Sequence, residues 1–115
     1  MGIQVPMMTV DYIMQILMLK SIDYLKIDVE GFDKFVLDGA RNVLKDQKVK
    51  RLQFEYHASG EWGKQSLKDV ISMFHNYSYT CFWIGNHEHI VKASIPCIYL
   101  LSAEGANSHL QAQNR

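Results

Sequence analysis

Apolar and polar residues alternate along this chain with two different periods, and the period separates expected strands from expected helices. In residues 24–29 (YLKIDV), Leu25, Ile27 and Val29 fall on one side of the chain and polar residues on the other. Residues 32–45 instead place apolar or small residues every three or four positions, as on one helix face. Over the whole chain, this pattern predicts helices at residues 10–19, 32–45 and 66–77, and strands at 24–29, 49–56, 79–84, 89–92 and 95–101.

The order of these elements predicts an α/β fold. Helices and strands alternate through residue 84, which is typical of a parallel sheet with right-handed crossovers. The last two strands are joined too closely for a helical crossover, so we expect a mostly parallel sheet that ends in an antiparallel strand pair. Residues 103–115 (AEGANSHLQAQNR) are polar and without periodicity. We therefore predict a domain over residues 1–102, followed by a disordered tail.

Composition narrows the class of protein further. The chain has 115 residues, of which 48% are apolar, which suits one small domain with a real core. Twelve basic residues balance twelve acidic ones, so no charge excess points to nucleic acid or to an anionic membrane. The longest apolar stretch, residues 13–19, is too short to span a bilayer. The balanced charge and the short apolar stretches therefore favour neither a nucleic-acid partner nor a membrane span.

The cysteine count and the first residues indicate a reducing compartment. Cys81 and Cys97 are too few for a disulfide framework or a zinc site, and both lie in apolar runs. The first residues do not show the charged and apolar regions of a secretory signal peptide. We therefore expect a cytoplasmic protein.

The polar side of residues 24–29 contains the first candidate site. Lys26, Asp28 and Glu30 share that side, and the series ends at Gly31, where a helix is predicted to begin. A strand that ends in acids, followed by glycine and a helix, is a common ligand site in α/β proteins. Alternatively, the Asp28 carboxylate caps the amides of that helix, and Lys26 forms an ion pair with Asp28.

The next predicted strand ends in a second ionisable pair, Glu55 and His57. If the two strands are parallel neighbours, both pairs meet at one end of the sheet. There, Asp28 and Glu30 could act as a general base, with Glu55 and His57 as substrate contacts. The same four groups could instead bind a divalent cation, or Glu55 and His57 could be a solvated strand end and a loop residue.

Two further features leave alternatives open. Trp62, in the loop HASGEWG at residues 57–63, could line the lip of a substrate site or pack over the helix below. The run His87-Glu88-His89 contains metal-ligand residue types, but it lies in a turn without a third partner nearby in sequence. We predict no metal site.

Three segments resemble the FkbM family of S-adenosylmethionine-dependent methyltransferases. They are VPMMTVDYI at residues 5–13, IDYLKIDVEGFDKFVLDGA at 22–40 and LQFEYH at 52–57. The second resembles the family signature at nearly every defining position, and the likeness covers roughly the first hundred residues. The resemblance implies a Rossmann-like class I methyltransferase fold and methyl transfer from S-adenosylmethionine to an oxygen of a small molecule or glycan. It makes Asp28 the first candidate catalytic residue and Glu30 the second.

The chain departs from the family pattern in two ways. Asp33 stands where the family usually has glutamate. The resemblance also implies an upstream glycine-rich loop that binds the cofactor and an acid that binds its ribose, yet the glycines of this chain form no such loop. No cofactor-binding residue can therefore be assigned, and we expect a partial fold, without the first strands of the sheet, that is inactive alone.

The family strand order, 3-2-1-4-5-7-6, makes residues 24–29 the fourth strand. Without its outer neighbour, this strand would become an edge whose unpaired amides and carbonyls invite pairing with a second copy of the chain. A non-catalytic interaction module that associates through this edge is therefore the alternative function.

Overall fold

The computed structural model describes residues 2–56, 62, 64–84, 90–92 and 108–114. No helix within these ranges is long and apolar enough to cross a membrane. The described helices and strands, in chain order, are α1 (Val10–Ile16), β1 (Ile22–Lys26), α2 (Asp33–Asp38), α3 (Arg41–Lys45), β2 (Val49–Tyr56), α4 (Leu67–Asn76), β3 (Tyr79–Ile84), β4 (Ile90–Lys92) and β5 (Ser108–Asn114).

The clearest periodic segments form the predicted elements. β2 and β3 have the predicted bounds, and α4 begins one residue late because Ser66 is its N-cap, with Oγ accepting a hydrogen bond from the Asp69 amide at 3.3 Å. α1 ends three residues before the predicted end at residue 19. Met18, two residues beyond α1, has φ 51°, a left-handed conformation that commonly ends a helix.

The single helix predicted over residues 32–45 is wrong, because the segment forms two helices separated at Gly39 and Ala40. The carboxylate of Asp11 explains the second start. It accepts hydrogen bonds from the amides of Asn42 at 3.1 Å and Val43 at 3.0 Å, so that it caps α3 from the first turn of α1. A Cβ at Gly39 would lie 3.2 Å from two side-chain carbons of Thr9. The glycine therefore permits close approach of the segment before α1.

The strands form a five-stranded mixed sheet in the order β1-β2-β5-β3-β4. β1 and β2 are parallel neighbours, as predicted, with Tyr24 opposite Arg51 and Lys26 opposite Gln53. The pairings β2–β5, β5–β3 and β3–β4 are antiparallel. The predicted mostly parallel sheet is therefore found only in part. β1, β2 and β3 run in the same direction, but only β1 and β2 are hydrogen-bonded as a parallel pair. β1 lies at one edge of the described sheet, as expected from the resemblance.

The prediction of a disordered tail over residues 103–115 is wrong for Ser108–Asn114, which form β5. This strand lies between β2 and β3. Ala112 is fully buried there, opposite Leu52 on one side and Cys81 on the other. The strand predicted at residues 95–101 lies outside the described residues.

The core lies on one face of this sheet. Alternate strand residues, including Phe54, Cys81 and Ala112, join a cluster with the buried side chains of all four helices, including Leu37 and Phe74. The opposite face carries polar residues, of which Lys26 and Arg51 are exposed and Gln53, Glu55, Gln111 and Gln113 are half-buried. Solvation of one face is usual for a sheet with antiparallel strands.

Two buried ionisable groups lie in this core. Burial raises the pKa of the Cys81 thiol to about 12 from an ordinary value of 9.0. Burial also raises the pKa of Tyr79 to about 12 from 10.0, although the hydrogen bond that its hydroxyl donates to the Val49 carbonyl, at 2.6 Å, opposes this. Both groups therefore keep their protons in the folded chain at neutral pH, and Cys81 is a free, inert thiol.

We expect the free energy of unfolding to fall as pH rises above about 9. In the unfolded chain Cys81 ionises near its ordinary pKa, whereas the folded chain retains the proton until about pH 12. The unfolded state then binds fewer protons, which costs about 1.4 kcal/mol per pH unit inside that window. Urea unfolding over this pH range should show the decline, with a shallower slope for Cys81→Ala. Equal slopes for the two proteins would contradict the assignment.

Candidate functional site

The carboxyl ends of β1 and β2 lie side by side, and the predicted site residues lie at or just beyond them. β1 ends at Lys26, although Ile27 still donates its amide hydrogen to the Gln53 carbonyl at 2.8 Å. The chain then turns into α2. Glu30 and Gly31 in this turn both have positive φ, 53° and 95°.

Asp28 and Glu30 are therefore turn residues, two positions or more beyond the strand, and both side chains are exposed. The alternative that Asp28 caps the following helix does not hold. The N-cap of α2 is Phe32, and no side chain donates or accepts a hydrogen bond at that cap. Among the described residues, Lys26 and Asp28 do not form an ion pair. The ion pair between β1 and β2 joins Lys50 to Asp23 at 2.8 Å. The hydrogen bond and charge of Lys50 lower the pKa of Asp23.

The backbone of Glu30 differs from the other non-glycine residues with positive φ. Met18, Gln47 and Ser78 each follow a helix C-cap, where a left-handed residue is routine. Glu30 instead lies between a strand and a helix. A non-glycine residue held in this conformation at the carboxyl end of a parallel strand pair, where α/β proteins commonly bind ligands, suggests that its side chain serves a purpose other than stability.

Replacement of Glu30 by glycine should raise the free energy of unfolding by up to about 1 kcal/mol, because glycine adopts positive φ without steric cost. Asp28→Gly is the matched control, since Asp28 has an ordinary φ and the change should lower stability by about 0.5–1 kcal/mol. Urea unfolding of both variants measures the difference. A loss of stability in Glu30→Gly as large as in Asp28→Gly would contradict the strain argument.

Trp62, predicted either at a substrate lip or over a helix, lies in the core and not at an open lip. Its side chain is 1% exposed. The indole ring stacks on Phe54 at 6.0 Å and meets Tyr56 edge-on at 5.4 Å between ring centroids. Its Nε1 donates a hydrogen bond to the Glu55 carbonyl at 2.8 Å. The packing alternative thus describes Trp62.

Asp33, noted in the sequence because it stands where the family usually has glutamate, contacts the predicted site residue Glu55. It is the first residue of α2 and fully buried. Oδ2 accepts a hydrogen bond from the Glu55 amide at 2.9 Å, while Oδ1 is buried without a hydrogen-bond partner among the described residues. Its place within the family signature was the one available sign of importance.

Glu55 is half-buried, and both its amide and its carbonyl are bound by side chains. Glu55 lies two residues beyond Gln53, the residue opposite the last residue of β1, and its amide meets Asp33 at the start of α2. His57 and the run at residues 87–89 lie outside the described residues. Among the residues that the structure does describe, no three histidine, cysteine, aspartate or glutamate side chains form a group that could hold a metal ion.

Two clefts lie elsewhere on the molecule and do not include the candidate site residues. One, of about 380 Å³, separates α2 and α3 from α4 and is lined by residues including Lys34, Asp38, Arg41, Asp69, Met73 and Tyr77. Asp38 pairs with Lys34 at 2.9 Å and with Arg41 at 3.5 Å, and with Asp69 as the second acid the two cations and two acids of that lining balance. The other, of about 430 Å³, lies beside α1 and α3.

Comparison with known families gives one match. Residues 2–81, more than half of the chain, match the family model described as the methyltransferase FkbM domain. The match includes β1, the turn that contains Asp28 and Glu30 (the acidic turn), β2 and α4. Comparison with curated proteins and with solved structures gives no match.

Proposed function

Because the chain belongs to the FkbM methyltransferase domain family, we propose that it forms the acceptor side of an S-adenosylmethionine-dependent O-methyltransferase with a Rossmann-like sheet. The observation that carries the proposal is the exposed acidic turn after β1, with Glu30 held at positive φ. Ligands of α/β proteins bind at the carboxyl ends of neighbouring parallel strands, where this turn lies. Cys81 of this chain is buried and free, which is consistent with a reducing cytoplasmic location.

The chemistry asks little of the protein. S-adenosylmethionine, when bound, would supply an electrophilic methyl group, and its methyl–sulfur bond would break to leave the neutral thioether S-adenosylhomocysteine. The acceptor hydroxyl, on a sugar or other small molecule, loses its proton as its oxygen is methylated. Asp28 is the first candidate base for this proton, because its exposed carboxylate lies in the turn that directly follows β1. Glu30 is the second candidate base, and Glu55 and His57 orient the acceptor.

The residues of this chain do not fit a complete cofactor site. The glycines of this chain form no G-x-G-x-x-G-like loop, since they lie at positions 2, 31, 39, 60, 63, 85 and 105. We therefore assign no residue to the cofactor. The 115-residue chain should have little affinity for S-adenosylmethionine alone.

Isothermal titration calorimetry of the folded chain with S-adenosylmethionine tests this part of the proposal. We expect no detectable heat, with thermal unfolding in parallel to show that the protein is folded. Micromolar binding would mean that a cofactor site forms without the glycine-rich loop, and would overturn the view that the chain is incomplete.

The acceptor side can be tested without the cofactor. Amide NMR spectra recorded with a panel of simple glycosides should show shifts at Asp28, Glu30 and Glu55. Asp28→Asn should weaken these shifts, whereas Asp69→Asn, on α4, should not. If no glycoside moves the three amides, or if Asp28→Asn leaves the shifts unchanged, the acceptor role fails.

A second candidate function is self-association through β1, because this strand is an edge of the described sheet. Every exposed large apolar side chain of the described residues lies between Ile3 and Phe35. Eight of them lie on α1 or at its C-cap, on β1, or in the turn and helix α2 that follow β1, and each is between 37% and 59% exposed: Tyr12, Ile13, Ile16, Leu17, Tyr24, Val29, Phe32 and Phe35. Of these, Tyr24 lies on the edge strand itself, and Val29, Phe32 and Phe35 follow it along the chain.

The size of this surface suits a second copy of the chain. At roughly 200 Å² for a large apolar side chain, the eight residues expose about 750 Å². A standard interface buries about 800 Å² on each partner. Antiparallel pairing of two β1 strands about a twofold axis would bury the surface and satisfy the open edge.

Sedimentation equilibrium over a range of concentrations tests self-association. Because the Ile27 amide points to β2, the alternating backbone directs the Lys26 amide to the open edge. Lys26→Pro should therefore remove an edge donor and leave a monomer, while Lys26→Ala should associate as the unmodified chain does. A chain that is monomeric throughout, or association that survives proline, would exclude this interface.

A further inference from the structure

The Glu55 peptide is held by two buried side chains and not by a neighbouring strand. Its amide donates to Asp33 Oδ2 at 2.9 Å, and its carbonyl accepts from Trp62 Nε1 at 2.8 Å. The two polar groups of one strand residue point to the same side, so both bonds lie on one edge of β2.

This edge is the one that β1 occupies earlier in the strand. Gln53, two residues before Glu55, accepts its hydrogen bond from the Ile27 amide of the chain leaving β1. After β1 the chain turns away at Asp28 and Glu30. Asp33 and Trp62 form hydrogen bonds with the Glu55 peptide, which is the next peptide of β2 that faces this edge. The opposite edge of β2 pairs with β5 through to Tyr56. The two side chains therefore extend the order of β2 beyond the end of β1.

Both side chains are in fixed positions. Asp33 is fully buried at the first position of α2, and Trp62 is 1% exposed between Phe54 and Tyr56. Asp33 also leaves Oδ1 buried and unpartnered among the described residues. Because an unsatisfied buried oxygen destabilises the fold, stability alone does not favour aspartate at this position.

We propose that Asp33 and Trp62 are positioning residues that fix the Glu55 peptide and so orient the Glu55 side chain beside the acidic turn at Asp28 and Glu30. The inference rests on the proposed acceptor site for its purpose, but the restraint itself is a property of this chain. Phe54 and Tyr56, on either side of Glu55, pack in or against the core, so Glu55 extends from the opposite face of the sheet. Rotation of the Glu55 peptide would displace that side chain from the end of the sheet.

Hydrogen exchange of the Glu55 amide measures the restraint directly, and the Phe74 amide in α4 serves as the internal reference. Asp33→Ala should speed exchange at Glu55 by roughly three- to tenfold relative to the reference, as expected for loss of one hydrogen bond. Asp33→Asn retains an acceptor of the same shape and should restore most of the protection. Trp62→Phe keeps the ring but removes the donor, and should speed exchange at Glu55 without loss of the fold.

The acceptor titration separates the restraint from its purpose. If Glu55 exchange rises in Asp33→Ala or Trp62→Phe and the glycoside-induced shift at Glu55 weakens while that at Asp28 persists, the positioning role is supported. If exchange of the Glu55 amide rises in these variants but no glycoside shifts any site amide, the restraint on the Glu55 peptide is supported and the proposed acceptor site is contradicted. Unchanged Glu55 exchange in Trp62→Phe, together with unchanged exchange in Asp33→Ala wherever that variant folds, would overturn the proposal.

Discussion

Removal of residues 108–115 is expected to abolish cooperative folding of the chain. These residues include β5, which pairs with β2 along one edge and with β3 along the other. Without it, two strands lose their shared partner, and the core loses the fully buried Ala112 between Leu52 and Cys81. At about 0.5–1.5 kcal/mol for each lost backbone hydrogen bond, the loss approaches or exceeds the roughly 5–15 kcal/mol that stabilises a typical domain.

Thermal unfolding followed by circular dichroism tests this expectation. The matched control removes Arg115 alone and should unfold as the complete chain does. A truncated chain that still unfolds in one sharp transition would mean that β5 is dispensable, and the predicted tail would then be correct in energetic terms.

Replacement of Trp62 by alanine is expected to lower the free energy of unfolding by about 3–5 kcal/mol, as for other large-to-small changes in a core. The indole contacts two aromatic rings and satisfies the Glu55 carbonyl, so alanine leaves a cavity and an unpaired acceptor. Trp62→Phe should cost less, because it retains a ring and loses mainly the hydrogen bond.

Urea unfolding at neutral pH compares the three proteins. A tryptophan at an exposed substrate lip would give a change within about 0.5 kcal/mol, as is usual for surface substitutions. A change of that size in Trp62→Ala would contradict the buried position, and would restore Trp62 as a candidate substrate contact.

Several elements could be predicted because their own residues determine them. β2 alternates apolar and polar residues from Arg51 to Glu55, β3 is a short apolar and aromatic run, and α4 combines a helical stripe with a serine N-cap. The KIDVEG segment indicates the family from six contiguous residues, Lys26 to Gly31, and the match over residues 2–81 confirms it. Periodicity, capping and a contiguous motif are local properties, so they can be recognised along a single chain.

Other features depend on contacts between distant segments. Residues 32–45 have a continuous helical stripe, yet Asp11 caps a new helix within it from another part of the chain. Ser108–Asn114 contain few large apolar residues, and they form a strand because β2 and β3 each offer an open edge. Weak local preferences are decided by such tertiary contacts.

The sequence alone thus determined the family, the α/β class, the most regular elements and the acidic pair Asp28 and Glu30, all of which depend on residues close together in the chain. It placed Asp28 inside a strand over residues 24–29, however, and only the structure shows both acids in a turn beyond Lys26, the end of β1. Tertiary structure decided which side chains stand behind that turn. The sequence pattern indicates for Asp33 only a helix-start charge and for Trp62 either a lip or a packing role, whereas in the fold the two meet at one peptide of β2. Their partner is a backbone group, which has no residue type of its own. For that physical reason, no pattern of side chains along the sequence could have revealed the contact.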